Sequence, residues 1–441
     1  MSSGKHSSMV SGVDGLDLHR LITELYPICR SITGDGVRKT LAIIGRHLAQ
    51  HVPLAVVEVP SGTQVLDWVV PREWNVRDAY IARPDGVRLV DLGQSSLHVV
   101  SYSVPVRARM TLEALRPHLH TLPNQPDLIP YRTSYYDESW GFCLSQRQLD
   151  EMARADGGFD VCIDSTLAPG HLTYGECLIP GDTEDEILIS THVCHPSLAD
   201  DNLSGNAIAV YLARHLAAGP RRRHSIRFLF APGTIGAITW LARNRERTGR
   251  IKHGLTLSCL GDNHPFTYKR TVGGAATIDD AAAHVLRRSG LPHQIIDFFP
   301  YGYDERQFNS PGFRMPVGSL MRGRHGQFPE YHTSADNLTF VSPDRLAESW
   351  RLLVDLIDVL DGDRRYRNTE PYAEPQLGRR GLYRAVGGTD IPDLQLALLW
   401  VLNLSDGAHG LLEIAERAGM SFASIRAAAN ILEQHGLLVP T

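Results

Sequence analysis

The stretch from Ile187 to Gly205 constrains this chain more than any other. It reads Ile-Leu-Ile-Ser-Thr-His-Val-Cys-His-Pro-Ser-Leu-Ala-Asp-Asp-Asn-Leu-Ser-Gly. The apolar run Ile187-Leu188-Ile189 predicts a buried parallel strand. A helical pattern follows from Ser204 to Ala218. Between them stand two histidines, a cysteine and two aspartates, at the carboxyl end of the predicted strand. Open α/β sheets bind ligands at that end. His and Asp together in such a loop suit a divalent metal.

The rest of the chain is organised around that stretch. Leu16 to Pro27 predicts a helix, and Val37 to Gln50 another, separated by a glycine turn at Gly34-Asp35-Gly36. Arg30 and Arg38 beside this turn suit either a bound anion or pairing with local acids. Residues 54–122 change character: strand-like clusters at Val56–Val59 and Leu97–Val100 predict a β-rich insertion. A Pro/Tyr-rich return, Leu122 to Tyr136, follows. Apolar runs at Val161–Ile163, Ile187–Ile189, Ile226–Phe230 and Leu255–Leu260 alternate with helical patterns up to Asp361, which predicts an α/β sheet domain. The expected division is a disordered segment 1–12, an α/β domain from 13–53 and 123–362, the insertion 54–122, and a C-terminal domain 363–441.

That C-terminal domain predicts helices over Ile391–Leu404, Gly410–Ala418 and Phe422–Gln434, then a strand-like Leu437–Val439: a winged-helix pattern. From Trp400 onward Asp406, Glu413, Glu416 and Glu433 outnumber Arg417 and Arg426. A third helix offering one arginine is poorly equipped to collect phosphates, so nucleic acid is not an expected partner. The chain's net charge of −5 agrees. No run approaches the roughly 18 apolar residues of a membrane span, and the polar N-terminus lacks a signal-peptide core. The six cysteines are scattered without CxxC pairs, which predicts reduced, buried thiols and a cytoplasmic protein. A homo-oligomer remains open.

The candidate metal ligands come from separated segments: His192 and Asp201, Asp262 after Leu260-Gly261, and His332 in Pro329-Glu330-Tyr331-His332-Thr333-Ser334-Ala335-Asp336. The order His…Asp-Asp-Asn-x-Ser-Gly…Gly-Asp…His-Thr-x-x-Asp resembles zinc aminopeptidases of the M28 type. More closely, the chain resembles aminopeptidase-like proteins with an inserted β domain and a C-terminal winged helix (the DUF4910/DUF2172 group). The motifs that carry this are Cys29-Arg30-Ser31-Ile32-Thr33-Gly34, Asp67-Trp68, Pro71-Arg72-Glu73-Trp74-Asn75, Tyr131 to Tyr136, Cys194-His195-Pro196-Ser197, Asp304 to Phe308 and Pro329 to Ser334. The match covers nearly everything after Leu16. It implies an α/β fold of the M28 aminopeptidase-like type, a mixed sheet with flanking helices. It also implies Zn2+ held by His192, Asp201, Asp262 and His332, with Asp201 bridging toward a second position.

One departure stands out. M28 enzymes place two Glu residues after the next strand, one as general base and one as ligand; here Ala231-Pro232-Gly233-Thr234 carries neither. One zinc is therefore expected rather than two, and the base must come from elsewhere. Glu305 is the first candidate and Glu330, two residues before His332, the second. Cys194 could ligate or simply pack. His195 and Asp304 are expected to orient the site from behind the ligands, and Arg132, Tyr135 and Tyr136 to touch substrate. The resulting expectation is a zinc-dependent amide or peptide-bond hydrolase acting on a small metabolite or a peptide N-terminus. The competitor is a descendant that binds, or transfers or cyclises an acyl group, without hydrolysis; Gly233 favours it.

Overall fold

A computed structural model of the protein describes residues 13–155, 157–382 and 393–441. The expected disordered segment 1–12 lies outside the described residues. The chain forms two compact units: one from residues up to Gly274 together with Pro292–Arg351, the other from Ala275–Leu291 together with Leu352–Thr441.

The first unit is built on an eight-stranded mixed sheet. Its strands are β1 Ala55–Pro60, β2 His171–Ile179, β3 Glu186–His192, β4 Ser225–Ala231, β5 Ile251–Leu257, β6 Phe266–Lys269, β7 His293–Ile296 and β8 Val317–Met321. They lie in the order β1-β2-β4-β3-β5-β8-β6-β7. The middle four, β4-β3-β5-β8, are mutually parallel, and β2 and β6 run antiparallel to their central neighbours. Every residue of β3 and β4 is buried, as expected where helices cover both faces of a parallel sheet. The crossover from β3 through helix Gly205–Ala218 reaches β4 on one side. The next, through helix Ile235–Arg243, returns past β3 to β5. Right-handed crossovers in opposite directions place those helices on opposite faces and open a crevice at the end of β3.

The first helix, Gly15–Leu25, is capped by Asp14, whose side chain accepts from Leu16 N (2.9 Å), and it buries Leu18, Leu21, Ile22 and Leu25. Arginine dominates two local junctions. Arg38 forks onto Glu73 (2.8 and 2.6 Å) and also reaches Glu58. Arg30 is buried and donates to the carbonyls of Leu25 (2.6 Å) and His195 (3.0 Å). Both arginines of the Gly34 turn are thus used structurally, and local pairing wins over an anion site. In the sheet, Arg227 donates to Glu186 (2.7 and 3.0 Å) and Glu176 (2.8 Å), and Glu176 also accepts from Trp240 Nε1 (3.0 Å).

The β-rich insertion exists with other boundaries. Ala55–Pro60 pairs with β2 and belongs to the main sheet. The insertion's own sheet runs Arg88–Asp91, Glu73–Ala82, Phe159–Ala168, Val106–Met110, all antiparallel. The run at Val161–Ile163 is therefore a strand of the insertion and not of the α/β core. Apolar periodicity marks a strand but does not say which sheet it joins.

The second unit places strand Arg365–Asn368 between Asp406–Gly410 and Leu438–Pro440, beside helices Asp393–Leu404, Leu411–Ala418 and Phe422–Gln434. This is the winged-helix arrangement. Helix Thr277–Ser289 joins it instead of the α/β domain: His284 accepts from Phe422 N (3.2 Å) and pairs with Glu416. Among the described residues no helix is long and apolar enough to cross a membrane.

Candidate metal and substrate site

The site begins where β3 ends. His192 is its last residue, and the chain then turns through Val193–Leu198 into the irregular turn Ala199–Ser204 before helix Gly205–Ala218. Asp336 fixes that turn: its carboxylate accepts from the N–H groups of Ala199 (3.0 Å), Asp200 (2.6 Å) and Asp201 (2.9 Å). Asn202 ties it to the strands, donating to Thr191 Oγ1 (2.8 Å) and Leu257 O (2.9 Å).

Held this way, the Asp201 carboxylate becomes a point of convergence. His192 Nε2 lies 2.8 Å from Oδ1, and His332 Nε2 lies 3.0 Å from Oδ2. His195 Nδ1 lies 3.3 Å from Oδ2. Among the described residues, His192, His195 and Asp201 form the group whose ligand atoms all fall within 4.8 Å of one another. Burial pushes His192 down to about 3 and lowers His332 as well, so both imidazoles are neutral with lone pairs to offer. Burial works against the Asp201 carboxylate, yet His195 and His192 beside it hold it well below the usual range. Neutral imidazoles around an ionised carboxylate are a donor set that fits zinc.

Asp262 does not join. Its carboxylate accepts from Gly323 N (3.0 Å) and His264 N (2.6 Å) and touches the His264 ring. Strand β5 ends at Leu257, and by residue 262 the chain has turned away. The residue at the strand's end is Ser258, whose Oγ lies 3.4 Å from Asp201 Oδ1 and 3.1 Å from His325 Nε2. Neither Ser258 nor His325 was anticipated; the position just past β5 was the available signal. His195, expected behind the ligands, faces Asp201, its Nδ1 also lying 3.1 Å from the Asp201 carbonyl oxygen.

Of the two expected bases, Glu305 is engaged elsewhere. Glu305 is fully buried in an ion pair with Lys269, and it accepts from Tyr303 N. Glu330 is half-buried and forms no side-chain hydrogen bond or ion pair among the described residues. Asp304 accepts from Thr234 N (2.7 Å), and burial lifts it to about 7. Thr234 adopts a positive φ of 59°, a conformation an L-residue keeps only when its surroundings impose it.

The gap left by the missing Glu is filled. A Cβ placed on Gly233 would overlap the Tyr303 phenol. The Tyr303 ring stacks on His192 at 3.6 Å between centroids, and its Oη lies 3.4 Å from both His195 Nε2 and Cys194 Sγ. Cys194 accepts from Gly233 N (3.2 Å), and burial pushes its thiol up to about 11, so it packs rather than ligates.

A cavity of about 410 Å³ opens onto this cluster, with His195, His332 and Tyr303 at its base. Arg132, Tyr135 and Tyr136, the expected substrate contacts, line it, together with Tyr131, Trp68 and Arg306. Tyr131 bonds Tyr135 through their hydroxyls (3.0 Å) and packs against both His195 and His332.

Comparison with known proteins agrees with this architecture. The model of the DUF4910 family, described as a domain of unknown function, matches residues 19–363, and a winged helix-turn-helix model (HTH_47) matches residues 364–440. A Clostridium acetobutylicum relative, described as a candidate polysaccharide biosynthesis protein with an aminopeptidase-like domain, is 50% identical over 429 residues, 97% of each chain. A crystal structure of a candidate peptidase from the same organism superposes with a TM-score of 0.90 at 48% identity, covering 97% of this chain and 96% of that one. The zinc aminopeptidase BSAP from Bacillus subtilis shares the fold, with a TM-score of 0.56 at 13% identity over 78% of this chain and 94% of that one.

Proposed function

Since the chain belongs to the DUF4910 family and ends in a winged helix, we propose that its aminopeptidase-like unit is a metal-dependent amide- or peptide-bond hydrolase for a small metabolite or peptide. The observation that carries this is the convergence of His192, His195 and His332 on one buried carboxylate, Asp201, at the base of a cavity. These four residues would hold a single zinc ion. When bound, zinc polarises a carbonyl and lowers the pKa of its water.

The chain's own residues have three tasks. Asp336 and Asn202 keep Asp201 aimed. Tyr131 and Tyr303 wall the cavity and limit water. Hydrolysis also needs a proton delivered to the departing nitrogen, and besides His332 the polar side-chain groups at the base of the cavity are the Tyr303 hydroxyl and the His195 ring, Oη and Nε2 lying 3.4 Å apart. The Clostridium relative is described with polysaccharide biosynthesis, so N-acylated sugars belong beside aminoacyl anilides in a substrate panel.

Metal analysis of the purified protein, and hydrolysis of that panel with and without chelator, test the reading. Bound zinc, chelator-sensitive turnover, and loss of both in Asp201→Ala are expected. A metal-free protein whose turnover ignores chelator would sink it. One observation favours a second reading, a binding or acyl-transferring descendant: among the described residues no carboxylate besides Asp201 at the base stands at the cavity, and Tyr303 occupies the space of the lost Glu. Tight metal binding without hydrolysis of any amide would support that alternative.

A further inference from the structure

The cavity wall, considered apart from the metal ligands, has an uneven charge. Arg132 and Arg306 both line it, and no Asp or Glu does, among the described residues. Most arginines of this unit are committed: Arg38, Arg77, Arg88 and Arg227 each fork onto a carboxylate, and Arg30 serves two carbonyls. Arg132 and Arg306 are not. Neither side chain forms a hydrogen bond or ion pair among the described residues. Of the acids nearest Arg306 in sequence, Glu305 pairs with Lys269, and Asp304 accepts from Thr234 N and feels the Arg306 charge without forming an ion pair with it. The wall also carries the hydroxyls of Tyr131, Tyr135, Tyr136, Tyr303, Thr133 and Thr234, groups able to donate to an anion.

An enzyme that grips a free amino terminus needs an acceptor for the ammonium group, and this wall supplies none of the usual acidic kind. Aromatic faces at Trp68 and Tyr136, 5.6 Å apart, could attract a cation. Two guanidinium groups without an ion-pair partner among the described residues, lining the same cavity, oppose that. Guanidinium is always charged and matches the two oxygens of a carboxylate or phosphate.

We propose that the cavity selects substrates by an oxyanion, a carboxylate or phosphate remote from the scissile amide, held by Arg132 and Arg306, and that it disfavours free ammonium groups. This rests on the cavity being the substrate site of the hydrolase reading, and it narrows that reading from free N-termini to blocked, anionic amides.

Calorimetric titration of the full-length protein tests it, with glutarate, the neutral glutaramide, inorganic phosphate and L-leucinamide as probes. Each titration is run on metal-loaded and on chelator-treated protein. Glutarate is expected to bind at least about tenfold more tightly than glutaramide, with or without metal, and to weaken as salt screens the charges. Arg132→Gln and Arg306→Gln, checked for unchanged melting temperature, should each lose about tenfold. Inorganic phosphate showing the same arginine dependence would assign a phosphorylated substrate; phosphate failing while glutarate binds would assign a carboxylate. Glutaramide or leucinamide binding as well as glutarate, glutarate binding unchanged in both variants, or no anion binding at all would overturn the proposal. Failure of the hydrolase reading looks different: arginine-dependent anion binding with no amide hydrolysed removes that reading and leaves the clamp. Hydrolysis of leucinamide without glutarate binding does the reverse.

Discussion

Gly233 and Tyr303 are one feature written at two positions. Restoring the absent carboxylate by Gly233→Glu drives a side chain into the phenol. The expected outcome is overpacking, a loss of about 1–3 kcal/mol, with no gain in turnover. Denaturant midpoints check it, and Gly233→Glu combined with Tyr303→Gly should recover most of the loss. Glu73 gives a prediction in pH. The Arg38 fork holds its carboxyl down to about 2, against burial. A depressed folded-state pKa adds stability that is complete above about 4.5 and lost as pH falls toward 2. Discounted for solvent screening, it amounts to about 1–2 kcal/mol. Glu73→Gln should flatten the stability–pH curve in that window. At this scale the convergence of His192, Asp201 and His332 could be read from the sequence, because His192 closes an apolar strand and the other two stand in loops with recognisable neighbourhoods. Asp262 misled because a carboxylate beside Gly resembles a ligand until the direction of the chain is known. Tyr303 was invisible because its role is defined by volume missing 70 positions earlier.

Among the elements, three strands of the parallel centre, β3, β4 and β5, were legible from their apolar runs, while β8, Val317–Met321, was not. The insertion's boundaries were not, since Phe159–Ala168 pairs with Glu73–Ala82 across about 80 residues of chain. Arg227 lies within that apolar centre and is tolerable there only while Glu186 and Glu176 answer it. Glu186→Ala leaves the buried guanidinium with Glu176 alone, and a loss of about 2–4 kcal/mol is expected by denaturant titration. Arg227→Met with Glu186→Leu should be far milder. The winged-helix pattern was legible from its three helices and glycine turn. Its third helix, Phe422–Gln434, turns Arg426 toward Asp358 O and the Phe422 ring. Random duplex DNA should therefore not be retarded by the full-length protein, even at low salt. Retardation that fades with salt would contradict this.

Across the whole molecule, the two units do not divide the chain at a single point. Helix Thr277–Ser289 is encoded within the first unit's sequence yet packs in the second. Removing residues 363–441 would take from this helix, which buries Ile278, Ala282, Val285 and Leu286, the Glu416 and Phe422 that His284 and Arg287 contact. Such a truncated chain is expected to aggregate, as light scattering would show. The carboxylate of Asp336 has a further consequence, one of timing. It arrives some 135 positions after the three backbone N–H groups it organises, and His332 arrives with it. A chain still on the ribosome, with that segment unmade, has the first two histidines but no assembled pocket for an ion. If the site holds zinc as proposed, loading would have to wait until synthesis has passed Asp336.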